Sequence, residues 1–170
     1  YAFKVTKEII DRATNLEIIA NFGAGYDNID VNYAITKGIL VTNSPKPVIE
    51  PTAELAFSLL LNVARRISEC DRKLRSSRGI EIDVMENLGI SLYGKTLGIV
   101  GMGAIGQALA RRASACGMRI IYYNRKRLSQ EIENAYEADW VSLNELLATS
   151  DFISLHAPAT SETYHMIDIQ

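Results

Sequence analysis

The sequence predicts an α/β protein built on an open, doubly wound sheet of parallel strands. Three observations carry that prediction. From residue 95 onward, short apolar runs alternate with segments of helical periodicity, the pattern of parallel strands joined by right-handed crossovers. One of those runs, LGIV at 97–100, leads straight into glycines spaced G-x-G-x-x-G at Gly101, Gly103 and Gly106. After them Ile105, Leu109, Ala113 and Cys116 recur at helical spacing, so strand, glycine turn and helix follow one another.

The elements follow in order. Residues 4–13 predict a helix with Val5, Ile9 and Ile10 on one side. Residues 16–20 form an apolar strand that runs into the loop NFGAGYDNID at 21–30. Asp30 is placed to cap a helix over 31–37, which Gly38 ends, and 39–42 is the next strand. The segment NSPKPVIEP holds three of the four prolines and predicts an irregular linker. Thr52 opens the longest helical pattern, with Ala56, Leu59, Leu60, Val63, Ile67, Cys70 and Leu74 along one face. Twenty-odd residues predict a single rod of about 30–35 Å. Residues 76–93 have weak periodicity and read as irregular. Beyond them the strands are 97–100, 119–123, 139–141 and 151–155, with helices between them, one over 143–148.

Composition bounds the function. At 170 residues, 48% hydrophobic and 22% charged, the chain reads as globular, with room for one large domain or two small ones. A net charge of −2 gives no electrostatic case for nucleic acid or an anionic membrane. No apolar run approaches the length that spans a bilayer, and the charged start does not resemble a signal peptide. Two cysteines, Cys70 and Cys116, lie far apart in helical patterns and read as reduced thiols in a cytoplasmic protein. No metal-ligand spacing is present.

The glycine segment predicts a dinucleotide site. Gly101 permits the tight turn, Gly103 admits a pyrophosphate to the backbone, and Gly106 lets the helix lie close to the strand. The phosphates would rest on free N–H groups where the helix dipole favours anions. A glycine-rich strand-to-helix turn alone would carry little, and it is the flanks that add weight. At the end of the second strand an NAD site has a carboxylate for the ribose hydroxyls. This chain has Asn124, Arg125, Lys126 and Arg127. Three cations suit a 2′-phosphate, which Arg125 could grip with paired N–H bonds; they also suit a solvated basic loop. The first of these readings favours NADP(H), with NAD(H) possible.

The last strand ends in His156, Ala157 and Pro158, at the edge that faces the ligand crevice of an open sheet. His156 reads equally as a nicotinamide-side residue and as a hydrogen-bonded strand-end histidine, and it is not assigned as a catalytic base. His165 reads as a packing or surface residue. Gly23 and Gly25 flank Ala24 just after a strand. Consecutive N–H groups there could form a nest for a carboxylate, or the segment is simply a tight turn.

Taken together, NFGAGYDNID, GILVTNSP, PTAELAFSLLLNVARRI, LYGKTLGIVGMGAIGQALARRASACGMRIIYYNR and SDFISLHAPATSETYHMI resemble the D-isomer-specific 2-hydroxyacid dehydrogenases. The NRKR ending looks most like the NADPH-dependent glyoxylate/hydroxypyruvate reductase branch. The resemblance implies two α/β domains, a Rossmann cofactor domain and a flavodoxin-like substrate domain. Residues 1–50 would be part of the substrate domain, 51–93 a long interdomain helix and linker, and 94–170 the dinucleotide domain. It implies substrate contacts from Phe22, Ala24 and Gly25, with the N–H groups of Ala24 and Gly25 on the substrate carboxylate. Thr52 would lie beside the cofactor. Met102, Gly103, Ala104 and Ile105 would hold the pyrophosphate, alongside Gly101 and Gly106. Asn124, Arg125 and Lys126 would meet the ribose phosphate, and His156, Ala157 and Pro158 would border the nicotinamide. It also implies a homodimer. The family's catalytic arginine, glutamate and histidine follow the equivalent of Gln170, so no catalytic residue is expected within these 170 positions. The chain therefore reads as a fragment of a larger protein in preference to a short chain with incomplete chemistry. The activity implied is reduction of a small 2-oxo acid such as glyoxylate or hydroxypyruvate to the D-2-hydroxy acid. A dinucleotide-binding sensor or corepressor without turnover is the reading from another class. Phosphoglycerate, phosphite or formate oxidation on the same scaffold is a third.

Overall fold

A computed structural model describes residues 3–76, 78–80, 83 and 85–168. The chain divides into two compact units, Tyr1–Ile49 and Glu50–Gln170.

The first unit contains α1 (Lys7–Arg12), β1 (Ile18–Ala20), α2 (Val31–Thr36) and β2 (Leu40–Thr42). The two strands pair in parallel, with Ile19 opposite Val41. Ile10, Ala34 and Ile39 form its core, and Val5, Leu16, Ile19, Tyr33 and Val41 pack against them. Helix α1 is shorter than the apolar periodicity predicts, because Val5 leaves it to bridge Ile29 in extended form. The predicted cap of α2 is present: the Asp30 carboxylate accepts from the Tyr33 N–H at 3.0 Å. Gly38 follows the helix at φ +74°, the left-handed conformation that glycine adopts without strain.

The proline segment corrects the expectation of an irregular linker. Lys46–Val48 is a 3₁₀ turn, and α3 (Ile49–Ala64) starts directly after it, with Pro51 inside its first turn. The first-turn N–H groups have no partner within a helix, so a proline there removes no bond. The predicted rod is also corrected. It is two helices, α3 and α4 (Ile67–Arg75), separated at Arg66, whose φ is +55°. The break is held by three side-chain and backbone locks. Asn62 Oδ1 accepts from both the N–H and the hydroxyl of Ser68, at 2.8 and 2.7 Å. The Ile90 N–H donates to the freed carbonyl of Ala64 at 2.7 Å. Arg66 donates to Glu69 and to the Leu88 carbonyl. Apolar periodicity runs through the break, so the pattern alone gave no sign of it. Among the described residues between 76 and 93 there is no helix or strand; residues 77, 81, 82 and 84 of that predicted irregular stretch lie outside the described residues.

The second unit carries a four-stranded parallel sheet. Its strands are β3 (Thr96–Val100), β4 (Arg119–Tyr123), β5 (Ala138–Trp140) and β6 (Phe152–Leu155). They lie in the order β5-β4-β3-β6. Helices α5 (Ala104–Ala115), α6 (Gln130–Tyr136) and α7 (Leu143–Thr149) make the crossovers. Successive residues of a strand face opposite sides. Ile99 accordingly lies against Gly106 of α5, whereas Gly98 lies against Leu146 of α7. With both faces covered, β3 and β4 are largely buried beyond their first residues, which explains why 97–100 and 120–123 are continuous apolar runs and not alternating ones. Tyr122, Leu97, Ile99, Leu109, Ile120, Ile121 and Leu146 are among the largest fully buried side chains.

Candidate functional site

In this order the chain leaves β3 in one direction to build β4 and β5, and returns on its other side as β6. The direction of winding reverses between β3 and β6, and the carboxyl ends of these two strands are where open parallel sheets bind ligands. The first stretch beyond β3 is the glycine turn. Gly101 takes φ +95°, and a Cβ there would lie 2.6 Å from the Ala157 nitrogen and 2.8 Å from the His156 carbonyl carbon. The residue is glycine because the two strand ends touch through bare backbone. Gly106 is held as tightly: a Cβ would meet the Gly101 oxygen at 2.8 Å. Gly103 differs from both. It is the N-cap of α5 in extended conformation, and a Cβ there would meet nothing within 4 Å. Its face is open, and no side chain caps the helix it begins. The N–H groups of Ala104, Ile105 and Gly106 occupy the first turn of α5, where they have no carbonyl within the helix to bond. The helix dipole adds a partial positive charge there. An anion fits this arrangement, and a pyrophosphate needs the open face of Gly103 to reach it.

Met102 lies within this turn, between Gly101 and Gly103. Its side chain is fully buried, and its N–H donates to Asn124 Oδ1 at 2.7 Å. Asn124 thus ties the loop after β4 to the glycine turn. Gln107 braces the same turn through the Met102 carbonyl at 3.3 Å.

A cleft of about 760 Å³ opens beside this turn, lined by Gly101, Asn124, Arg125, Lys126, Ala157 and Pro158 together with Thr160, Glu162, Thr163 and Met166. That volume falls in the range of small-molecule sites, about 300–1,000 Å³. The structure therefore gathers Asn124, Arg125, Lys126, Ala157 and Pro158 of the sequence reading around one opening, and His156 is not among its lining residues. It also divides the three cations. Arg127 points away and pairs with Glu133 at 2.8 Å from both Nε and Nη2, while Arg125 and Lys126 line the cleft. Glu133 is the one buried charged residue among the described positions, and it also accepts from the Tyr122 hydroxyl at 2.6 Å. Arg127 and then Tyr122 hold its carboxyl down to about 2. Burial, with the Glu133 bond behind it, pushes the Tyr122 phenol up to about 12. Tyr122 in turn accepts from the Leu128 N–H at 2.9 Å. This network fixes both ends of the loop that presents Arg125 and Lys126.

Thr52 and His156 meet at a second, apolar groove of about 470 Å³ between α3 and β6, lined also by Leu55, Leu59, Ile153 and Leu155. Burial lowers the His156 pKa below its ordinary value, and its Nε2 is 2.8 Å from the Ser154 hydroxyl. His156 is thus a hydrogen-bonded histidine at a strand end, and it also borders a groove.

Phe22, Ala24 and Gly25 belong to the first unit, in the loop after β1. Phe22 is 97% exposed. Asn21 Nδ2 donates to the carbonyls of Gly23 and Gly25, and Asn43 Nδ2 to that of Ala24, at 2.7–3.0 Å. Among the described residues no acceptor takes the N–H of Ala24 or Gly25.

The sequence reading did not include Thr160, Glu162 and Thr163 in the cleft, or Glu133 behind it. The signal for the first three was the run TSET, whose threonines form a reciprocal turn. Thr160 N–H donates to Thr163 Oγ1 at 2.8 Å, and Thr163 N–H to Thr160 Oγ1 at 3.3 Å. Glu133 gave no signal, because an acid in a helix reads as a solvated residue.

Residues 57–170 match the family model described as D-isomer specific 2-hydroxyacid dehydrogenase, NAD binding domain. The chain is 53% identical over 168 residues to the glyoxylate reductase of Thermococcus litoralis, covering 96% of this chain and 50% of that protein. The D-lactate dehydrogenase of Aquifex aeolicus, solved with NAD and lactic acid, superimposes with a TM-score of 0.85 at 34% identity, over 97% of this chain and 48% of its own. An acyclic imino acid reductase solved with NADPH and D-Arg gives a TM-score of 0.83 at 33% identity, over 95% and 50%. The chain spans about half the length of the curated relatives it matches. Its Rossmann sheet, its glycine turn and a family model matched over most of its length together make it a member of the D-isomer specific 2-hydroxyacid dehydrogenases.

Proposed function

We propose that the protein carrying this chain transfers hydride between a nicotinamide dinucleotide and a small acid, reducing 2-oxo acids such as glyoxylate or hydroxypyruvate to D-2-hydroxy acids. The observation that carries this reading is the open face of Gly103 at the uncapped start of α5, set at the β3/β6 switch point. When bound, the nicotinamide supplies the hydride. This chain's own residues bind and orient. The N–H groups of Ala104, Ile105 and Gly106 hold the pyrophosphate, with Gly101 and Met102 shaping the turn. Asn124, Arg125 and Lys126 take the adenosine ribose. Ala157 and Pro158 border the nicotinamide side, with Thr52 and His156 behind them. Phe22 and the free N–H groups of Ala24 and Gly25 take the substrate carboxylate. Proton transfer is assigned to no residue among these 170 positions, because the family's catalytic arginine, glutamate and histidine follow the equivalent of Gln170.

NADP(H) is the preferred cofactor in this proposal. Arg125 and Lys126 face the cleft, and no carboxylate stands at the end of β4 to favour an unphosphorylated ribose. Relatives solved with NAD and with NADPH share the fold, so the fold alone does not choose between them. Residues 1–50 are assigned to the substrate domain, 51–93 to the interdomain helix and linker, and 94–170 to the dinucleotide domain. The family resemblance supports a homodimer, and the unbridged thiols of Cys70 and Cys116 support a reducing, cytoplasmic location.

The test is spectrophotometric. The full-length protein is expected to oxidise NADPH when given glyoxylate or hydroxypyruvate, with higher kcat/KM for NADPH than for NADH. Dinucleotide binding with no turnover across a panel of 2-oxo acids would refute the reductase and leave a sensor. Equal kcat/KM with both cofactors would refute the NADP(H) preference alone.

A further inference from the structure

Glu162 lies in the turn after β6 and lines the same cleft as Arg125, which lies in the loop after β4. Their side chains form an ion pair, Arg125 Nη1 to Glu162 Oε2, between two walls of the opening that are 37 residues apart in sequence. Glu162 is not on a loose segment. The reciprocal Thr160–Thr163 turn surrounds it, and Thr163 Oγ1 also donates to the Pro158 carbonyl at 2.6 Å. The opposite wall is equally fixed by Tyr122, Glu133 and Arg127. With Arg127 committed to Glu133, the cleft has two cations, and one of them already has a carboxylate partner.

Resting on the cofactor reading above, we infer that Glu162 is a specificity-determining residue that sets the balance between NADP(H) and NAD(H). A 2′-phosphate carries a charge of about −1.5 to −2 near neutral pH. To reach Arg125 it must displace Glu162, and it then sits beside that displaced carboxylate, where like charges repel. A ribose 2′-hydroxyl needs no displacement, and Glu162 Oε can accept from it. Glu162 thus supplies, from the opposite wall, the acidic acceptor that Asn124 fails to provide at the end of β4. The side chains of Arg125 and Glu162 are 74% and 65% exposed, and exposed pairs of this kind are weak, so the exchange is easily reversed. The chain combines an arginine that favours the phosphate with a glutamate that moderates the preference.

The test compares dissociation constants of NADPH and NADH, read by nicotinamide fluorescence on the full-length protein, for wild type, Glu162→Gln, Arg125→Gln and the double variant. Glu162→Gln is expected to tighten NADPH about threefold to fivefold and to weaken NADH about twofold. In the Arg125→Gln background the same change is expected to alter NADPH binding less than twofold, because the two effects run through one contact. A Glu162→Gln ratio of the two constants within twofold of wild type, or shifted toward NADH, would overturn the role of Glu162. Binding of neither dinucleotide by the wild type would overturn the cofactor reading itself, and this inference with it. The residue is on the surface, so an unchanged melting temperature serves as the control for folding.

Discussion

Glu133 shows how one residue reaches from the core to the site. Its carboxylate is nearly inaccessible, yet it is ionised, because the Arg127 guanidinium closes a two-point contact on one side and the Tyr122 hydroxyl donates on the other. Its pKa is about 2, against 4.5 for an unperturbed carboxyl. A carboxyl depressed on folding contributes stability that is fully present above the unfolded value and lost as pH falls through the folded one. Chemical denaturation of the wild type and of Glu133→Gln is therefore expected to show a stability gap that is constant above pH 4.5 and closes as pH falls toward about 2. A gap that persists unchanged through that window would contradict the assignment. Tyr122→Phe removes the donor to Glu133 and the acceptor for Leu128 N–H without leaving a cavity, and is expected to cost about 1–3 kcal/mol. At this scale the sequence was legible where backbone geometry demands a residue type. Asp30 as cap, and Gly101 and Gly106 at close approaches, could be read directly. Glu133 and Glu162 could not, because their partners come from other elements and no spacing announces them.

At the scale of elements, the strands and crossovers of the second unit follow their apolar pattern closely, since burial on both faces leaves little freedom. The break between α3 and α4 does not follow any pattern. It depends on the segment around Gly89, which folds back onto the end of α3. A Cβ at Gly89 would lie 2.7 Å from the Ala64 oxygen and 2.8 Å from the Arg65 Cα, both backbone atoms. Gly89→Ala is expected to destabilise the protein by about 1–3 kcal/mol by lifting that segment off the helix end. Asn62→Ala, which removes the acceptor for Ser68, is expected to cost about 1 kcal/mol. Differential denaturation checks both, and a neutral Gly89→Ala would show that the break does not depend on the close approach of Gly89 to the end of α3. Pro51 teaches the converse. It read as a breaker from sequence, and its position in the first turn makes it compatible with helix.

For the whole molecule, the account rests on a division of labour within the second unit. A rigid sheet brings the ends of β3 and β6 together, and the glycine turn exposes main chain where they meet. Strand order was legible only as a class, because parallel alternation fixes handedness and leaves neighbour choice to tertiary packing. The most direct test is titration of the full-length protein and its Gly103→Val variant with NADPH and NADH. Gly103 has extended backbone and open space around an added Cβ, so the valine, a poorer N-cap than glycine, is expected to lower the melting temperature by no more than about 4 °C while weakening both dinucleotides at least tenfold. Full affinity in a folded Gly103→Val protein, or no affinity for either dinucleotide in the wild type, would contradict it.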